Sequence, residues 1–173
     1  MERSEVVVLR VGHRPGRDDR ITTHVGLTAR ALGADRLVLA ANDASPLQRI
    51  DDVTERFGGP FVTEHIDHYR RFLEAWPGSV IHLTMYGLPI QEQITEMRDA
   101  EDLAIVVGAE KVPFEIYERA DWNVAVTNQP HSEVASLAVC LDRLRNGAER
   151  EHAFTGGTHR VVPQATGKRV EEQ

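Results

Sequence analysis

Residues 103–113, LAIVVGAEKVP, decide the architecture. The apolar run from Leu103 to Val107 has the length of one strand buried on both faces and is too short for a helix. Gly108 and Ala109 end it, Glu110 and Lys111 bring two opposite charges, and Pro113 suits the first turn of a helix. A strand that leaves through small residues into a helix is one half of a βα unit. In open sheets built from such units, ligands are held beyond the carboxyl ends of the strands.

The same alternation spreads in both directions. Upstream, SVIHLTM (79–85) reads as a strand broken by Tyr86-Gly87, with Pro89 opening a helix to about Arg98. Downstream come a short helix, PFEIYERA, a strand, WNVAVT (122–127), and an apolar helix from about Ser132 to Leu144 stopped by Asn146-Gly147. Nearer the amino end, EVVVLRV (5–11) is a β-branched strand. Thr22-Thr23 is positioned to cap a helix that runs through HVGLTARAL to Gly33. RLVLA (36–40) is a strand, 46–57 a helix, PFVTE a short strand, and IDHYRRFLEAW has helical spacing at Ile66, Tyr69, Phe72 and Leu73. The expected fold is therefore α/β, a mostly parallel sheet with helices on both faces. Residues 1–147 are expected to form one domain. Residues 148–173 form a polar C-terminal extension containing the extended piece HRVVP, packed on that domain or across a dimer.

The chain has 173 residues, 41% hydrophobic and 27% charged, enough for one well-buried core. No apolar stretch approaches the roughly 20 residues of a membrane span, and the amino end lacks the zones of a secretory signal, so a cytoplasmic location is expected. Cys140 is the lone cysteine, which excludes an internal disulfide and a cysteine-rich zinc site. The net charge of −7 argues against a wholly basic nucleic-acid binder. Yet Arg10, His13, Arg14, Arg17 and Arg20 crowd one early segment, and the position of charge matters as much as its sum.

The sequence contains no G-x-G-x-x-G after a strand, no P-loop, no G-x-S-x-G and no H-E-x-x-H. His65 and His68 stand beside Glu64 without a third ligand at a useful spacing, so no metal is expected and a solvated helix face is the reading.

Three strand-exit segments remain: LTMYG (83–87), VVGAEKVP (106–113) and VTNQPHSEV (126–134). Each leaves an apolar strand for small or amide-bearing residues without a cluster of charges, and all three would converge at one sheet edge. Gly108 and Ala109 permit close backbone approach, and Asn128, Gln129 and Ser132 supply neutral donors and acceptors. Such a pocket suits a flat, neutral heterocycle better than a phosphate.

At this point the strings GHRPGRDDRITTHVGLTARALGAD, HLTMYG, VVGAEKVP, NVAVTNQPHSEVASLAVCLDRL and VVPQATGK become specific. Together, from near residue 5 to about 170, they resemble the archaeal tRNA cytidine 2′-O-methyltransferase family that acts on T-loop position 56, a member of the SPOUT, or trefoil-knot, class. The resemblance implies a deep C-terminal knot, S-adenosylmethionine as cofactor, tRNA as substrate and a homodimer. It places the cofactor against Leu83 of the first loop, against Gly108, Ala109, Glu110, Lys111 and Val112 of the second, and against Val126, Thr127, Asn128, Gln129, Pro130, His131, Ser132 and Glu133 of the third. It implies Arg30 as the residue acting on the 2′-hydroxyl or adjacent phosphate, possessing the six-residue spacing from His24 that the class shows between Asn and Arg. Glu110 would orient substrate or pair with Lys111, and His131 would move a proton or cap a helix. Arg14, Arg17 and Arg20, with His24, become tRNA contacts. Methylation of another RNA nucleotide, and a non-catalytic nucleotide-binding module, are the other readings that these residues allow.

Overall fold

A computed structural model describes residues 4–109 and 111–173. Its centre is a six-stranded sheet formed by β1 (Val6–Val11), β2 (Arg36–Leu39), β3 (Val62–His65), β4 (Ser79–Pro89), β5 (Leu103–Gly108) and β6 (Trp122–Ala125). The spatial order is β3-β2-β1-β5-β4-β6, and every neighbouring pair is parallel. The expected α/β architecture is the one observed.

Among the described residues six α-helices cover the sheet: α1 (Asp19–Ala31), α2 (Ala44–Phe57), α3 (Tyr69–Ala75), α4 (Ile90–Asp99), α5 (Phe114–Arg119) and α6 (Glu133–Arg145). Side chains alternate across a strand, so β1 feeds two cores. Val6 and Val8 pack with Val25 and Ala29 of α1, Ile50 of α2, Met97 of α4 and Leu137 and Leu141 of α6. Val7 and Leu9 pack on the other face with Leu73 of α3 and Ile116 of α5. All of these residues are buried. Removing one large member, Leu137→Ala for example, would cost about 2–5 kcal/mol.

Among the boundaries that differ from the sequence expectation, four have a clear local reason. Helix α1 starts at Asp19, so Thr22 and Thr23 lie one turn inside it and are buried rather than capping. The preceding Asp18 offers no cap bond, because the backbone N–H and the guanidinium of Arg14 occupy its carboxylate. Helix α3 starts at Tyr69, since Ile66 still donates its N–H to Leu39 O in the sheet. Strand β6 stops at Ala125, leaving 126–127 in the following loop. Strand β4 does not end at Tyr86-Gly87. It detours and resumes, with Leu83 and Leu88 both opposite Val124 of β6. A Cβ on Gly87 would lie 2.4 Å from Asn123 O, so the strand returns this close only with glycine there.

After α6, a short 3-10 helix (Ala148–Glu151) leads to an antiparallel hairpin of β7 (His159–Val161) and β8 (Val170–Glu172). This segment lies on the C-terminal end of α2, where Thr155 O accepts from Gly59 N at 2.9 Å. Among the described residues, no helix is long and apolar enough to cross a membrane.

Candidate functional site

The β4 detour and the carboxyl end of β5 open onto a cavity of about 250 Å³ beside the N-terminus of α6. Leu83, Thr84 and Met85 line it from the first strand exit, Val107, Gly108 and Ala109 from the second, and His131, Glu133 and Ser136 from the third. The three segments singled out in the sequence therefore converge. Lys111 and Val112 line an adjoining hollow of about 420 Å³, which shares Leu83, Thr84 and Gly108 and adds His82, Tyr86 and Tyr117. Glu110 lies outside the described residues.

The remaining third-loop residues build the wall and do not line the cavity. Asn128 donates from Nδ2 to Met85 O at 2.7 Å and Gly87 O at 3.0 Å, so its amide joins the third loop to the first. Thr127 Oγ1 accepts from Gln129 N, and Ser132 Oγ caps α6 through Val134 N. Val126 packs against the core, and Pro130 is exposed. His131 lies with Nδ1 2.6 Å from Gln129 O. A carbonyl only accepts, so Nδ1 carries the proton and Nε2 of a neutral ring is left as an acceptor.

Beneath the cavity is a polar chain that sequence reading missed. Arg10 belongs to β1 and not to the basic loop, and it is fully buried. Its Nη2 donates to Glu133 Oε1 at 3.1 Å and its Nε to Thr22 Oγ1 at 3.1 Å, while Nη1 has no hydrogen-bond partner among the described residues. Burial pulls the Arg10 pKa below the ordinary arginine value, and Glu133 opposes that shift. Thr22 Oγ1 is 2.7 Å from Nδ1 of the buried His13, whose Nε2 is 2.7 Å from Asp43 Oδ2. The bond from His13 holds the Asp43 carboxyl below its usual range.

Asp19 Oδ1 lies 3.7 Å from the same His13 nitrogen, so His13, Asp19 and Asp43 have the composition of a metal trio. The 2.7 Å contact is shorter than the roughly 2.9–3.4 Å that two ligands keep around one shared ion, and it fits a hydrogen bond instead. One sequence signal could have revealed the chain: Arg10 is the single charge inside the apolar run of β1.

Within one chain, Arg30 is not brought to the cavity. Helix α1 runs back along the sheet, so Arg30 sits at the opposite end, buried. Its Nε donates to Thr54 Oγ1 at 3.1 Å, its Nη2 to Gly58 O, and its guanidinium lies 4.7 Å from the Phe154 ring. Of the basic loop, Arg14 grips Asp18 at 2.9 Å, whereas Arg17 and Arg20 are exposed, as is His24.

Residues 57–171 match the family described as tRNA ribose 2′-O-methyltransferase, aTrm56. A tRNA (cytidine(56)-2′-O)-methyltransferase of Haloarcula marismortui is 59% identical over 169 residues, which cover 96% of this chain and 94% of that protein. One from Pyrococcus horikoshii is 51% identical over 172 residues, covering 96% and 85%. Among solved structures, an RNA 2′-O ribose methyltransferase shares the fold with a TM-score of 0.63 and 17% identity, over 85% of this chain and 58% of that one. An AdoMet-bound rRNA methyltransferase from Sinorhizobium meliloti gives 0.56 and 16%, over 84% and 57%.

Proposed function

Because the chain belongs to the tRNA ribose 2′-O-methyltransferase family, we propose that it transfers a methyl group from S-adenosylmethionine to the ribose 2′-hydroxyl of cytidine 56 in tRNA, as a cytoplasmic homodimer. The observation that carries this reading is the convergence of Leu83, Gly108, Ala109, His131 and Glu133 on one cavity.

The residues present fit the donor. Leu83, Val107 and the small Gly108 and Ala109 offer an apolar wall with strand-end peptide groups, suited to an adenine ring. Glu133 supplies a carboxylate to a ligand that bears a sulfonium and an ammonium. When bound, the donor supplies an activated methyl group. The chain's own work is alignment of the acceptor and disposal of its proton. Alignment alone can lower the barrier by several kcal/mol. His131, anchored through Nδ1 to Gln129 O and lining the cavity, presents Nε2 as the acceptor of the hydroxyl proton. Glu110, named by the sequence resemblance, would orient the substrate. Arg30 enters only if the partner subunit completes the site. Arg17 and Arg20, exposed in the segment that leaves β1 at the sheet edge where β5 also ends, would meet tRNA phosphates.

Titration calorimetry with S-adenosylmethionine, followed by mass analysis of incubated tRNA and nuclease mapping of the product, tests the reading. Donor binding and a gain of one methyl at position 56 are expected. No donor binding and no mass gain would overturn it, and methyl at another nucleotide would correct the substrate.

A further inference from the structure

Among the described residues the cavity is lined by one carboxylate, Glu133, and what holds it is not on its own helix. Arg10 reaches it from β1, and Arg10 is itself gripped by Thr22 of α1. With a neutral His13 ring, the donors and acceptors along this chain have one consistent order. Arginine donates and never accepts, so Thr22 Oγ1 receives Arg10 Nε–H and has its own hydrogen free. Asp43 accepts, so His13 Nε2 carries a proton toward it. With a neutral ring, Thr22 then donates to His13 Nδ1. Each group is thereby fixed by the next, from the cap of α2 through the loop after β1, then α1 and β1, to α6. The far end is firm, because Asp43 Oδ1 also accepts Ser45 N at the start of α2.

We propose that Thr22 and His13, braced by Asp43, are positioning residues that aim the buried Arg10 guanidinium and through it set the Glu133 carboxylate that receives the positively charged methyl donor. A guanidinium with no exposed surface cannot be oriented by water. Without Thr22 it would keep a single directional partner, Glu133, and the two would move together. The proposal rests on the methyl-donor reading of the cavity.

The test is a double-mutant cycle read by calorimetric donor binding. Thr22→Val keeps the shape and removes the hydroxyl, and is expected to weaken donor affinity by roughly tenfold, while Thr22→Ser restores it. Glu133→Gln weakens binding by at least as much. Because Thr22 acts through Glu133, adding Thr22→Val to Glu133→Gln should produce no further loss. Losses that multiply in the double variant, or undiminished affinity in a folded Thr22→Val protein, would overturn the proposal. If Thr22→Val does not fold, Asp43→Asn, which keeps the α2 cap, replaces it in the cycle with the same expectations. A wild-type protein that binds no donor sinks the functional reading itself, an outcome separate from either result above.

Discussion

The Asn128 side-chain amide spans two carbonyls of the β4 detour, Met85 O at 2.7 Å and Gly87 O at 3.0 Å. It uses both N–H groups to close the third loop onto the first. At about 0.5–1.5 kcal/mol for each hydrogen bond, Asn128→Ala should weaken donor binding by roughly 5- to 150-fold while leaving the sheet intact. Calorimetry with circular dichroism checks it, and unchanged affinity would show that the clip does not shape the cavity.

Glu149 is 4% exposed, and neither carboxylate oxygen has a hydrogen-bond partner among the described residues. Burial, reinforced by the neighbouring Asp142 carboxylate, raises its pKa above the ordinary range. A folded-state value above the unfolded one stabilises the fold at pH below about 4.3, and that contribution is lost as pH rises through the folded value. Glu149→Gln removes the ionisable group. Its melting temperature should exceed that of wild type at pH 8, and by a smaller margin at pH 5. The same difference at both values would contradict this account.

Cys140 has no exposed surface, and burial pushes its thiol up to about 12. The thiolate is the reactive species, so the native protein should resist a thiol-specific reagent at pH 8 and release one titratable thiol only in denaturant. Rapid labelling of the native protein would show that α6 opens readily.

Arg17 and Arg20 are exposed, whereas Arg14 is committed to Asp18. If tRNA phosphates meet this edge, replacing Arg17 and Arg20 together by Ala should lower the slope of log affinity against log salt by about 1.4–1.8. Arg14→Ala should change it less. An unchanged slope in the double variant would place the RNA elsewhere.

Much of the fold was legible because strands such as LAIVV and EVVVLRV carry their burial in their composition. The convergence of the three strand exits followed from parallel topology. Details that depend on distant partners were not legible. Thr22-Thr23 looks like a helix cap unless one knows that Arg14 already occupies Asp18. Arg30 looks like a solvated or catalytic arginine unless Phe154, far along the chain, is seen lying over it. The β8 strand, Val170–Glu172, has too short a pattern to announce itself. Arg10 was legible in principle, since a charge inside an apolar strand demands a partner, but Glu133 is 123 positions away.

Where β4 leaves and rejoins β6, Leu83 and Leu88 meet the same residue, Val124. The four positions between them therefore hang off the sheet like a cantilever, moored by the Asn128 amide at Met85 and Gly87. Side chains at Thr84 and Met85 can change the shape of the mouth while the ladder on either side keeps step.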